Sequence, residues 1–196
     1  GVADFPVVMK DDKYERPSVV PRFEYESIAK SYSILSVDFA ETVSERANWT
    51  VFAHATIDRV GRTYIDMLVR EKWQPHESVK ALLTFCNKLR PTYLVMEEVN
   101  FTRGLRVALE REWQTNSGNF KPSIRWTKRP ANKEKEERIR LTLQQPYKTG
   151  DVRFVKEKIE DAAWNGLIQE LKEFPRSTSD DILDAISDIF DTRDWF

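Results

Sequence analysis

Ser33-Ile34-Leu35-Ser36-Val37-Asp38 is the stretch on which the fold turns, an apolar run that ends on a carboxylate and passes straight into Phe39-Ala40-Glu41. Ile34, Leu35 and Val37 favour an extended, mostly buried strand, which puts Asp38 where the strand leaves the core. An acid there contributes little to packing. It is well placed to hold a metal ion or move a proton. The pattern returns at Tyr93-Leu-Val-Met-Glu97-Glu98, and a third acidic cluster, Asp180-Asp181-Ile-Leu-Asp184, opens the last predicted helix. Three acidic groups at the ends of separate elements predict one site assembled by folding.

The 196 residues suit one folded domain over 29–196, preceded by an arm or linker over 1–28 that carries Pro6, Pro17 and Pro21 and little periodicity. With 40% hydrophobic and 32% charged residues the composition excludes fibrous and disordered classes. No apolar run approaches the roughly 20 residues that span a bilayer. The start Gly-Val-Ala-Asp-Phe-Pro has no signal-peptide pattern, so the expectation is an intracellular protein with no membrane partner. The single Cys86, within Leu82-Leu-Thr-Phe-Cys86, excludes an internal disulfide and a cysteine zinc cage and reads as a buried packing thiol.

The net charge of −1 hides an uneven distribution. Lys121 to Arg140 holds eight Lys/Arg against three Glu, whereas Glu157 to Phe196 holds eleven acids against four bases. A basic segment followed by an acidic third suits a polyanionic substrate met by metal-loaded carboxylates; solvated helix faces account for much of the same counts.

Strands are expected at Ser33 to Phe39, Trp49 to Ile57 and Thr63 to Val69, with Asp58-Arg-Val-Gly61 as the turn between the last two. Short connections make these an antiparallel meander. Pro75 opens a helix whose Val79, Leu82, Leu83, Cys86 and Leu89 recur at helical spacing up to Arg90-Pro91. The crossover that follows predicts that strand Tyr93 to Met96 runs parallel to a neighbour, with Glu97 and Glu98 at its C-terminal end. Further elements are a helix over Leu105 to Gln114, short strands at Ile124 to Trp126 and Val152 to Val155, and a helix over Lys133 to Leu143 ending in a loop over Gln144 to Gly150. A helix over Asp161 to Leu171 precedes a last helix over Asp180 to Phe190, capped by Ser177, Thr178 or Ser179. The sum is a three-layer α/β domain with a central mixed sheet flanked by helices.

On the last helix, Ile182, Ala185, Ile186 and Ile189 form the buried stripe, Asp181 and Asp188 flank it, and Asp180 and Asp184 point towards solvent. Asp180 and Asp181 are as readily helix-dipole partners as ligands. Asp184, Asp188, Asp191 and Asp194 read mainly as a solvated face. Three acids brought together repel one another unless cations sit between them. Mg²⁺ or Mn²⁺, two ions together, relieves that repulsion and suits phosphodiester hydrolysis. His54 and His76 read as structural, and no phosphate loop, dinucleotide glycine pattern or nucleophile elbow is present in the sequence.

Asp38, Glu98-Val-Asn100, and the tail Gln169-Glu-Leu-Lys-Glu-Phe174-Pro175 followed by Asp180-Asp181-Ile-Leu-Asp184-Ala185 together resemble the nuclease domain of a tailed-phage large terminase subunit. Lys133 to Arg140 and Gly150-Asp-Val-Arg-Phe154 resemble the steps preceding that tail, so the likeness spans about residues 31 to 190. It implies an RNase H-like fold, with Asp38, Glu98 and Asp181 as catalytic metal-binding acids and Asp180 as neighbour or alternate ligand. Glu97 is set aside, because the acid-x-Asn step aligns with Glu98. Where many members carry Asp-aromatic-Thr after the first motif, this chain has Asn48-Trp49-Thr50. The resemblance further implies double-stranded DNA as substrate, an ATPase domain of the same full-length protein, the small terminase subunit and the portal as partners, and the cytoplasm of an infected bacterial host as location.

Phosphate contacts are expected from Arg125, Lys128, Arg129, Lys133, Lys135 and Arg138, with Arg103 and Arg106 near the strand-end glutamates. Trp126 reads as a packing residue that could stack on a base. Two other readings stay open: a different RNase H-like nuclease such as a junction resolvase, and a noncatalytic DNA-binding module of a packaging motor.

Overall fold

Ile34 and Leu35 point to opposite faces of one strand, as neighbours in a pleated chain must, and both are fully buried. Their strand is therefore central and covered on both sides. The computed structural model describes residues 17–40, 49–128, 135–176 and 179–193, with 100 and 101 described by backbone alone. The elements are α1 (Arg22–Glu26), β1 (Lys30–Asp38), β2 (Thr50–Asp58), β3 (Thr63–Glu71), α2 (Pro75–Leu89), β4 (Tyr93–Glu97), α3 (Asn100–Thr115), β5 (Ser123–Thr127), α4 (Lys135–Thr149), β6 (Val152–Phe154), α5 (Asp161–Glu173) and α6 (Asp181–Arg193). No described helix is long and apolar enough to cross a membrane.

One mixed sheet of six strands runs β5-β4-β1-β2-β3-β6. The expected meander is present, β1, β2 and β3 pairing antiparallel. β4 comes back through α2 and lies parallel to β1, as the crossover argument requires, and β5 and β6 lie parallel to β4 and β3. Helices α4, α5 and α6 cover one face, with Leu143, Leu167, Ile186 and Ile189 packed over Ile34, Val51, Ala53 and Ala55. Helices α2 and α3 cover the other, setting Leu82, Leu105 and Leu109 against Leu35, Val37, Phe52 and Met96. Each large aliphatic side chain buried in this way contributes about 1.5–3 kcal/mol. Cys86 is the packing thiol it reads as in the sequence, and burial pushes its pKa up to about 12.

Four local readings need correction. Packing begins within the stretch read as an arm: the Val20 N–H donates to the Phe154 carbonyl at 2.9 Å, and Val20 and Tyr25 are buried. Helix α3 starts at Asn100 instead of Leu105, because the Thr102 hydroxyl accepts the Val99 N–H at 2.8 Å and donates to the Glu97 carbonyl at 2.6 Å, satisfying groups a helix start leaves open. Helix α4 does not stop at Leu143. Ile139, Leu143 and Tyr147 continue one buried stripe at i, i+4 and i+8, and that burial carries the helix through Pro146 to Thr149, where Gly150 at φ 74 ends it. On α6, finally, Asp184 and Asp188 are buried and do not form a solvated face.

Candidate active site

Asp38 closes β1 opposite Val51 of β2, and Val37 stands level with Met96 of the parallel β4. Asp38 is therefore level with Glu97, and Glu98 lies one residue beyond it on the same edge of the sheet. The Glu98 N–H donates to the Thr127 carbonyl at 2.8 Å, which ties the residue after β4 to the end of β5. The first turn of α6 reaches the same edge. The Trp49 N–H, at the start of β2, donates to Asp181 Oδ2 at 3.3 Å, and the Ser179 hydroxyl donates to the same oxygen at 3.2 Å.

Lys135, at the start of α4, sits among the α6 acids. Its Nζ lies 2.6 Å from Asp180 Oδ1, 3.5 Å from Asp181 Oδ1 and 3.3 Å from Asp184 Oδ2. Burial lowers the Lys135 pKa, but the charges of Asp38, Asp180 and Asp181 and the bond to Asp180 outweigh it, leaving the ammonium above its usual range. The sequence reading gave Lys135 to DNA phosphates; its position is among the carboxylates. Glu98 stands apart from this group, with Lys128 Nζ at 3.4 Å and Arg103 Nε at 4.0 Å. Among the described residues no three His, Cys, Asp or Glu side chains are arranged to share one ion.

One turn further along α4, Arg138 is buried, which removes it from the expected phosphate contacts. Its guanidinium pairs with Asp184, lies 3.2 Å from Asp188 Oδ1 and donates to Ser187 Oγ at 2.8 Å. Lys135 and Arg138 at i and i+3 on α4 thus face Asp181, Asp184 and Asp188 at i, i+3 and i+7 on α6. That complementary spacing was readable in the sequence and went unread.

The cap of α6 was also missed. Ser177 and Thr178 lie outside the described residues, and Ser179 serves Asp181. It is Glu170, buried on α5, that accepts the Ile182 N–H at 3.0 Å and the Leu183 N–H at 3.3 Å. Burial pushes the Glu170 carboxyl up to about 8, the Asp181 charge adds to the rise, and the two N–H bonds oppose it. No pattern of local capping could have found a cap supplied from another helix.

Of the remaining expected phosphate contacts, Arg129 and Lys133 lie outside the described residues. Arg103 and Lys128 are exposed beside Glu98. Arg125 sets its guanidinium 5.0 Å from the centroid of the Tyr93 ring, towards the start of β4 and away from the acids. Trp126 packs against the α2–α3 core, with the Arg106 guanidinium 5.5 Å from its ring. His54 is buried with Asp66 on the sheet face that Phe52 shares, and His76 is exposed on α2.

No family model and no curated protein matches the chain. Solved structures do. The yeast mitochondrial Holliday junction resolvase Ydc2 superposes with a TM-score of 0.57 at 15% identity, over 89% of this chain and 85% of that one. A variant nuclease domain of the large terminase subunit of bacterial virus Sf6, solved with manganese and β-thujaplicinol, gives 0.54 at 12% identity, over 84% and 90%. The fowlpox virus Holliday junction resolvase gives 0.51 at 14% identity, over 83% and 98%. At these identities the likeness is one of fold, and the fold is RNase H-like, as the sequence resemblance implied.

Proposed function

We propose that this chain is a divalent-metal-dependent DNA endonuclease, the nuclease portion of a tailed-phage packaging terminase that cuts concatemeric DNA. One observation carries the reading: Asp180, Asp181 and Asp184 gather on the Lys135 ammonium at the sheet edge where Asp38 ends β1, with Glu98 one residue past β4. The donors are carboxylate oxygens, the ligand type that Mg²⁺ and Mn²⁺ prefer. The charges of Asp38, Asp180 and Asp181 hold the Lys135 ammonium above its usual range, and a group of acids that favours one cation in its midst supports the fit of such an ion. Asp38, Asp180, Asp181 and Glu98 would hold the metal by closing on it from the separate positions they occupy without one. When bound, a pair of such ions activates a water and stabilises the leaving oxygen of a phosphodiester.

The protein's own groups do the rest. Lys128 and Arg103 beside Glu98 bind backbone phosphates and orient the strand. Lys135 stays protonated and offers N–H donors to a phosphate oxygen at the acids. The Trp49 N–H and the Ser179 hydroxyl fix Asp181, and Glu170 fixes the turn that carries it. In the packaging role an ATPase domain of the same protein, the small terminase subunit and the portal would be the partners.

A junction resolvase is the second reading, favoured by the superposition on the yeast resolvase. One experiment separates them: incubation with supercoiled plasmid, linear duplex and a four-way junction, each with Mn²⁺, Mg²⁺ or EDTA. The packaging reading expects metal-dependent cutting of plasmid and linear duplex at comparable rates. Cutting confined to the junction transfers the site to the resolvase reading, and a folded protein that cuts none of them with either metal refutes both.

A further inference from the structure

At the end of the strands opposite the acids, the sheet face that is apolar at Leu35, Val37 and Phe52 turns polar. Ser33 and Ser31 continue the β1 alternation that runs through Leu35, and His54 and Thr56 continue that of Phe52 on β2. Helix α2 ends at Leu89, and beyond its last turn this polar floor underlies a cavity of about 330 Å³ whose walls carry Lys30, Lys88 and Lys158. Lys30 at the start of β1 is eight residues from Asp38, roughly 26 Å along an extended strand. Whatever binds in the cavity is separate from the group bound at the acids.

The floor is held rigidly. His54 Nδ1 lies 2.5 Å from Asp66 Oδ1, the Thr56 hydroxyl donates to Asp66 Oδ2 at 2.8 Å, and the Tyr25 hydroxyl donates to the same oxygen. Burial alone would push the Asp66 carboxyl up, but the bonds from His54, Tyr25 and Thr56 prevail and hold it below the usual range. As a carboxylate Asp66 can only accept, so Nδ1 carries the proton. The ring is thereby fixed with its Nε2 buried and without a hydrogen-bond partner among the described residues.

The walls supply donors and positive charge. Lys30 and Lys158 set their ammoniums 4.3 and 5.1 Å from the centroid of the Tyr25 ring, so both cations share one wall. Lys88, on the last turn of α2, forms no ion pair with a described residue. Glu26 is drawn to Lys30 and Lys158 but is tied to Arg22 Nε at 2.8 Å. The hydroxyls of Ser33 and Thr92 each accept the other residue's backbone N–H, at 3.4 and 3.1 Å, which leaves each O–H to donate outward.

Three cations and two outward hydroxyl donors call for a small, multiply charged oxyanion, and the volume is that of a compact ligand pocket. We propose that this cavity binds a phosphomonoester, the terminal phosphate of a free nucleotide or of a nucleic-acid end, with Lys30, Lys88 and Lys158 as its counter-charges. The inference stands independently of the nuclease reading.

Calorimetric titration of the whole chain in EDTA tests it, because chelation removes any metal bridge to the acids. Inorganic phosphate and deoxyadenosine monophosphate should bind with a Kd on the order of 1 mM or tighter. Lys88→Ala combined with Lys158→Ala should weaken both by about tenfold or more without lowering Tm. Asp181→Asn should leave both unchanged. A short duplex bearing 5′-phosphates that binds more tightly than its 5′-hydroxyl twin identifies a nucleic-acid end as the source. Equal binding of the two duplexes beside saturable nucleotide binding identifies a free nucleotide. Absence of phosphate and nucleotide binding, or binding indifferent to the lysine substitutions, overturns the proposal and leaves the His54–Asp66 network as an anchor for α1.

Discussion

Arg138→Met is the substitution on which the α4–α6 seam can be judged. The guanidinium is buried between Asp184 and Asp188, which are themselves buried, and it donates to Ser187. Methionine fills much of the arginine stem's volume but leaves the two buried carboxylates without their cation, with Lys135 reaching only Asp184 Oδ2. Removing one side of a buried ion pair costs about 3–5 kcal/mol, because the abandoned charge must be buried alone or protonated. For a domain of this size that corresponds to a fall in Tm of about 6–20 °C. Thermal unfolding followed by circular dichroism in metal-free buffer measures it. Adding Asp184→Asn and Asp188→Asn to Arg138→Met should recover part of the loss, as coupled groups behave. An Arg138→Met protein that melts with the parent, yet binds DNA more weakly and with a shallower salt dependence, would refute this reasoning and return Arg138 to the phosphate contacts.

Glu170→Gln keeps a carbonyl acceptor for the α6 amides and removes the ionisation. Between the ordinary carboxylate value of 4.5 and about 8 the unfolded chain gives up the Glu170 proton while the folded one keeps it, so the parent loses stability as pH rises through that window. The variant should gain on the parent by a few kcal/mol from pH 5 to pH 9 in urea titrations, on the order given by 1.36 kcal/mol per pKa unit; a pH-independent difference would show that Glu170 does not titrate in the fold. Lys135→Met removes the ammonium that repels an incoming cation, so the Mn²⁺ dissociation constant measured by calorimetry should fall several-fold, and a rise would mean that the lysine organises the acids for metal instead of competing with it. Lys128→Ala and Arg103→Ala should each weaken binding to unrelated duplexes alike and reduce the slope of log K against log salt by about 0.9. An unchanged slope would remove that residue from the phosphate path.

Strand directions and strand ends were legible because apolar runs such as Ile34 to Val37 and Tyr93 to Met96 are continuous enough to bury on both faces, and a crossover helix sets the strand after it parallel to a neighbour; which neighbour, and so the strand order, was not legible. Asp38 and Glu98 could be put at strand ends for the same reason, whereas Asp181, on a helix, was assigned only through helical periodicity and the resemblance. The charges on α4 were harder. A run rich in lysine and arginine looks the same whether it faces phosphate or another helix, and only the matching acid spacing on α6 separates Lys135 and Arg138 from Lys128. The extension of α4 through Pro146 was hidden because the burial of Tyr147, a tertiary effect, overrides a local helix breaker. Glu170 escaped because a cap supplied by a different helix leaves no trace near the amides it satisfies.

The most direct test of the proposed site is nicking of supercoiled plasmid in Mn²⁺ by the parent and by Asp38→Asn, Glu98→Gln and Asp181→Asn, each first verified as folded by its thermal transition. The account predicts cleavage by the parent that EDTA abolishes and that each substitution lowers by about two orders of magnitude or more, the scale on which positioned charge contributes to catalysis. Asp38→Asn protein that nicks as fast as the parent would contradict it.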